Sequence, residues 1–128
     1  MRVLVCGSRH WNDPAPIWAV LAGLYARDES ADGLIVIEGG APGADSFAAE
    51  WADDEADGSE TYPADWDKHG KAAGPIRNQQ MLDEGQPDVV YAFKDAFDLA
   101  QSGSGRGTED MVRRAKAAGV PVYLVSHV

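Results

Sequence analysis

The sequence predicts an α/β fold: one Rossmann-like, doubly wound parallel sheet of about five strands in the order 3-2-1-4-5, with helices on both faces. Three observations carry this. Short, near-continuous apolar runs have the look of strands buried on both faces of a parallel sheet. Longer segments of helical periodicity separate them, giving the order βαβαβαβαβ, whose parallel strands need right-handed crossovers. In IVIEGGAPGADSFAAEWA, residues 35–52, a buried strand passes into a helix through a joint of three glycines, one proline and one aspartate.

The first strand is expected over residues 3–6, VLVC, just ahead of GSRH. A helix follows over residues 17–25. Its apolar side chains at 17, 18, 20, 21, 24 and 25 make one face, and Pro14 and Pro16 open it. The second strand covers residues 34–37, and the helix after the glycine joint covers 44–55, with Phe47, Ala48 and Trp51 on one side. Residues 60–62 give the weakest strand pattern. The helix over 76–83 sets Ile76, Gln80 and Met81 on one side and stops before Gly85. The fourth strand is residues 89–93. The last helix, 108–118, takes Thr108 as its N-cap and ends at Gly119 before Pro121, and the fifth strand is 120–125. Residues 94–105, KDAFDLAQSGSG, form a long connection, of the kind that serves as a lid or is only a variable surface loop.

A length of 128 residues fits one domain, 1–128, large enough to bury a core. With 45% apolar and 25% charged residues the chain reads as globular, not disordered. No apolar stretch nears the ~20 residues of a membrane span. MRVLVCGSRHWND is too short in apolar residues for a signal-peptide core, so a cytoplasmic location is expected. The single Cys6 cannot form an internal disulfide and reads as a core residue. Without CxxC or HExxH, no metal site is expected, nor any cofactor. A net charge of −10 argues against nucleic acid as a partner. Trp11, Trp18, Phe47 and Trp51 exceed what one small core obviously needs, which leaves a homodimer face open.

In a doubly wound sheet, ligands bind outside the carboxyl ends of the strands where strand order reverses, here between strands 1 and 4. The loops gathered at that edge hold Arg9, His10, Lys68, His69, Lys71, Arg106 and, at the next helix start, Arg77. Much of the positive charge of an acidic chain thus meets the N-termini of helices, the setting of an anion site. The expected lining is Gly7, Ser8 and Arg9; Gly39, Gly40 and Gly43; Trp66 and Lys71; Arg77 and Asn78; and Gly105, Arg106, Gly107 and Thr108. EGGAPGAD lacks the lysine and Ser/Thr of a P-loop and the spacing of GxGxxG, and SGRGT is a weak pattern alone. Their shared position is what counts.

GSR, EGGAPGAD, YPADWDKHGKAAGPIRNQQML and GRGTEDMVRRAKAAGVPV together resemble the YspA-like (cpYpsA-related) group of the SLOG superfamily, from Arg2 to about Val125. That superfamily is Rossmann-like and includes the LOG phosphoribohydrolases and the Smf/DprA proteins. The resemblance implies a small nucleotide or nucleotide-derived ligand, bound for sensing, sequestration or processing. LOG enzymes carry PGGxGTxxE, and the matching stretch here keeps Gly105, Gly107 and Thr108 but has Met111 at the glutamate position. Glu109 lies two residues away, a turn of about 200° on a helix. Arg77 matches the LOG arginine that faces substrate.

Three carboxylates keep catalysis open: Glu38, Asp45 and Glu109. Asp45 fits two roles, a first-turn helix acid or a ribose acceptor and general base. Trp66 is either a stacking platform for a base or a plug on the sheet edge. The chain is expected to be a nucleotide-binding module or, alternatively, an enzyme that cleaves the N-glycosidic bond of a nucleoside monophosphate. Single-stranded DNA binding ranks last.

Overall fold

The structure is a computed structural model and describes residues 1–95 and 105–127. Its elements are β1 (Arg2–Gly7), α1 (Pro14–Arg27), β2 (Ile35–Glu38), α2 (Ala44–Glu55), β3 (Gly58–Thr61), α3 (Trp66–His69), a 3-10 turn (Gly70–Ala72), α4 (Ala73–Gly85), β4 (Val89–Asp95), α5 (Arg106–Ala117) and β5 (Val122–His127). The five strands form one sheet in the order β3-β2-β1-β4-β5, every neighbouring pair parallel. This is the predicted topology.

Successive side chains of a strand point to opposite faces, and β1 uses both. Val3 and Val5 pack with Ile17, Leu21 and Ala48 in the layer under α1 and α2. Leu4 and Cys6 pack with Met81, Leu82 and Met111 in the layer under α4 and α5. A central strand buried on both sides explains the uninterrupted apolar run VLVC. Among the described residues, no helix is long and apolar enough to cross a membrane.

Several boundaries move. β3 is Gly58–Thr61, aligned with β2 from Ile35 opposite Gly58 to Glu38 opposite Thr61, and β5 runs from Val122. α5 starts at Arg106, because Gly105 adopts φ 76° and takes the N-cap position assigned to Thr108. Thr108 instead lies buried in the first turn. On α4 the buried side is Ala73, Asn78, Met81 and Leu82, while Ile76 is exposed. The short α3 lies where a loop was expected, and Asp65 caps it by accepting from the Lys68 N–H. Residues 96–104, most of the long connection read from the sequence, lie outside the described residues.

The aromatic surplus partly resolves into the core. Trp11 is buried and packs edge-on to Phe93, with ring centroids 5.4 Å apart. Trp18 stays exposed, its indole N–H donating to the Phe47 carbonyl, and the half-buried Trp51 packs edge-on to Tyr25.

Candidate functional site

A cavity of about 370 Å³ opens at the carboxyl ends of β1 and β4, where the strand order reverses. Residues 6–10, at the end of β1 and beyond it, form its base. Asp45 of α2 stands on one side with Ala41. Arg77, Asn78 and Met81 of α4 stand on another, and residues 105–108 at the start of α5 close the third. Four elements from both sides of the sheet therefore meet at one opening.

The EGGAPGAD joint is filled from within. Asp45 reaches back from the first turn of α2, and its Oδ2 accepts the N–H of Gly39 at 3.1 Å and of Ala41 at 3.3 Å. Glu38 accepts the Gly40 N–H at 2.5 Å and the Thr61 hydroxyl at 2.5 Å. Three consecutive backbone donors are thus spent on the chain's own carboxylates. Neither Gly39, Gly40, Gly43 nor Glu38 lines the cavity. Gly39 instead makes room for a neighbour, since a Cβ there would overlap the Arg77 guanidinium, which donates to the Gly39 carbonyl at 2.5 Å.

The start of α5 is different. Gly105 offers no side-chain cap, and a Cβ placed on Gly107 would meet nothing within 4 Å. First-turn N–H groups have no partner inside their own helix, and the helix dipole leaves partial positive charge there. This end is held in place by Asn78, whose amide donates to the Gly107 carbonyl at 3.1 Å and to Asp110 at 3.0 Å. Asp110 also accepts from Arg113 and Arg114, and Arg114 donates to Gln79. Asn78→Ala removes both of these bonds and the acceptor of the Arg77 Nε–H from a buried position, and is expected to cost about 1–3 kcal/mol in urea unfolding.

Arg9, Arg77 and Arg106 all line the cavity. Arg77 uses Nε on Asn78 and Nη1 on the carbonyls of Gly39 and Tyr62, leaving Nη2 without a hydrogen-bond partner among the described residues. Arg9 and Arg106 are exposed and make no ion pair among the described residues. Asp45 is 6% exposed. Burial pushes its carboxyl up to about 7. The Ala41 N–H opposes the rise, the Glu38 carboxylate adds to it, and Arg77 and the Gly39 N–H oppose it. Burial also pushes the Cys6 thiol up, so it stays protonated.

Of the residues expected at the site, Gly7, Ser8, Arg9, Asp45, Arg77, Asn78, Gly105, Arg106, Gly107 and Thr108 come together at the cavity. Ser8 is buried, its hydroxyl accepting the His10 N–H. Trp66, Lys71 and Glu109 are not in the lining. Trp66 is 57% exposed and lies along Gly74, and Glu109 is exposed and faces Lys94 of β4 at 3.8 Å. Met111 is fully buried in the core, so no carboxylate stands in its place. The reading of individual side chains missed Cys6, Ala41 and Met81, whereas His10, expected among the charged residues of this edge, joins the lining. The alternation of β1 with the period of α4 could have paired Cys6 with Met81.

The model of the YspA, cpYpsA-related SLOG family matches residues 1–69, from β1 through α3, and so takes in both GSR and EGGAPGAD. The chain belongs to this family. A relative of this SLOG chain, Gene 61 protein of Mycobacterium phage D29, is 41% identical over 126 residues, covering 94% of this chain and 93% of that protein. That similarity extends over α4 and α5, which the family model does not reach. No solved structure matches the chain.

Proposed function

We propose that the protein binds a nucleotide or nucleotide-derived ligand in this cavity, with the anionic group against the start of α5. One observation carries the reading: Arg9, Arg77 and Arg106 converge with an uncapped helix N-terminus in a chain of net charge −10. SLOG membership is consistent with a ligand of this class. The volume lies within the range of small-molecule sites, about 300–1,000 Å³.

A second reading, cleavage of an N-glycosidic bond, is favoured by Asp45 alone. A buried carboxyl that titrates near neutrality suits acid–base work. Against it stand the orientation of Glu109 and the burial of Met111.

The test is a panel of AMP, ADP-ribose and ribose 5-phosphate, followed by melting temperature and by chromatography of the products. A rise in melting temperature without product supports binding, and free base released from AMP supports the hydrolase. Arg9→Ala and Arg106→Ala are each expected to weaken binding of the stabilising compound by about 10- to 100-fold, the loss of one charge-assisted contact. Both arginines are exposed, so the unliganded melting temperature should stay put. If no phosphate-bearing compound shifts the melting point, the pocket reading falls.

A further inference from the structure

We propose that Asp45 carries a proton into the complex and donates a hydrogen bond from its free oxygen to an oxygen of the bound anion. The proposal rests on the nucleotide-pocket reading and deepens it, by assigning the α2 side of the cavity a donor instead of an acceptor.

The geometry separates the two oxygens of this side chain. Both backbone N–H groups go to Oδ2, whereas Oδ1 has no hydrogen-bond partner among the described residues. The side chain is nonetheless more than nine-tenths buried and lines the cavity. A buried polar atom without a partner is costly, so it marks a place where a partner arrives. The partner this cavity recruits is negative, since Arg9, Arg77 and Arg106 line it too. An ionised Asp45 would repel the anionic group, and toward an anionic oxygen only the protonated carboxyl can supply a hydrogen bond.

The surroundings favour the neutral form as well. Glu38, at the end of β2, holds its carboxylate on the same turn, accepting from Gly40 between the two N–H groups that Asp45 takes. Arg77 from α4 opposes it with positive charge, and the Cys6 thiol of β1 faces Asp45 uncharged. Arg9 and His10 from the loop after β1, and Arg106 from α5, complete the titratable and charged groups around the cavity. With burial outweighing Arg77, the carboxyl titrates at about 7, within reach of a ligand's influence.

The probe is ADP-ribose, whose pyrophosphate does not titrate near neutrality, unlike a phosphate monoester with its second pKa near about 6. Affinity is expected to be level below about pH 7 and to fall about tenfold per unit above it, with a flat profile in Asp45→Asn. Calorimetry at pH 8 in two buffers of different ionisation enthalpy should register uptake of close to one proton by the native chain and none by Asp45→Asn. Affinity that rises with pH would make Asp45 an acceptor and overturn the proposal. So would identical profiles in both proteins, which would take the pH dependence away from Asp45. If ADP-ribose binds neither protein at any pH, the pocket reading fails and this one with it. Should Asp45→Asn not fold, carboxyl ¹³C shifts of the native chain decide. Saturation with ADP-ribose must move the Asp45 titration to higher pH, and a move to lower pH refutes the donor.

Discussion

Gly43→Ala is expected to lower the melting temperature by more than about 10 °C, while Gly107→Ala leaves it unchanged or slightly raised and weakens ligand binding at least about tenfold. The same methyl group is added in both cases, to two glycine runs that look alike in sequence. Gly43 has φ 81° and ψ −126°, a region that L residues rarely enter, at a cost of about 1–3 kcal/mol. Its added Cβ would overlap the Ser8 carbonyl and lie 2.8 Å from the Arg9 Cα. That carbonyl accepts the N–H groups of both Ala44 and Trp11, so it cannot retreat without loosening α2 and the loop after β1. Overpacking of this kind adds a further ~1–3 kcal/mol. Together they give about 2–6 kcal/mol, with a midpoint of ~4 kcal/mol, hence the large shift for a domain of this size.

Gly107 has open space where its Cβ would be, and it sits in the first turn of α5, where alanine favours the helix by up to about 1 kcal/mol. Because Gly107 lines the cavity, the methyl group would occupy ligand space. Melting curves in the absence of ligand and titration with ADP-ribose separate the two effects. A Gly43→Ala protein that melts within 2 °C of the native chain (about half a kcal/mol) would remove the steric account of the joint.

The contrast marks where sequence reading stops. The sheet order and the span of α2 were legible because they depend on periodicity and on which runs lack charge, both visible one residue at a time. The meeting of Arg9, Arg77 and Arg106 was legible for a related reason: topology alone assigns loops to an edge. What EGGAPGAD does with its N–H groups was not legible. That depends on Asp45 turning back over its own loop and on Glu38 bonding to Gly40, contacts that no residue pattern distinguishes from an open phosphate cradle. Likewise Thr108 has the chemistry of an N-cap, and only the left-handed conformation of Gly105 moves the helix start past it. Trp11 counts as surplus until β4 is paired with β1 and brings Phe93 beneath it.

Asp45 should also leave a signature on folding that needs no ligand. Its ordinary value of 3.8 rises to about 7 in the folded chain, mainly through burial. Between about pH 4 and pH 7 the folded protein therefore keeps a proton that the unfolded chain has released. Unfolding then releases a proton, and stability falls as pH rises through this window, reaching its full deficit above 7. The rise corresponds to a difference on the order of 4 kcal/mol between the ends of the window. Other carboxylates work in the opposite sense: Asp28 and Glu60 are held below their ordinary values, chiefly by the Ser30 N–H and by Arg2. Their contribution is lost as pH falls, which calls for a difference measurement. Asp45→Asn keeps an amide oxygen to accept from Gly39 and Ala41 but carries no titrating proton. The two proteins should unfold within about 1 kcal/mol of each other at pH 4.5, and the variant should be the more stable by about 4 kcal/mol at pH 8. Parallel stability curves from urea unfolding across that range would mean that Asp45 ionises in the folded chain as it does in water. An acid that ionises freely could not be the donor that meets the ligand, so this one measurement bears on the fold and on the site together.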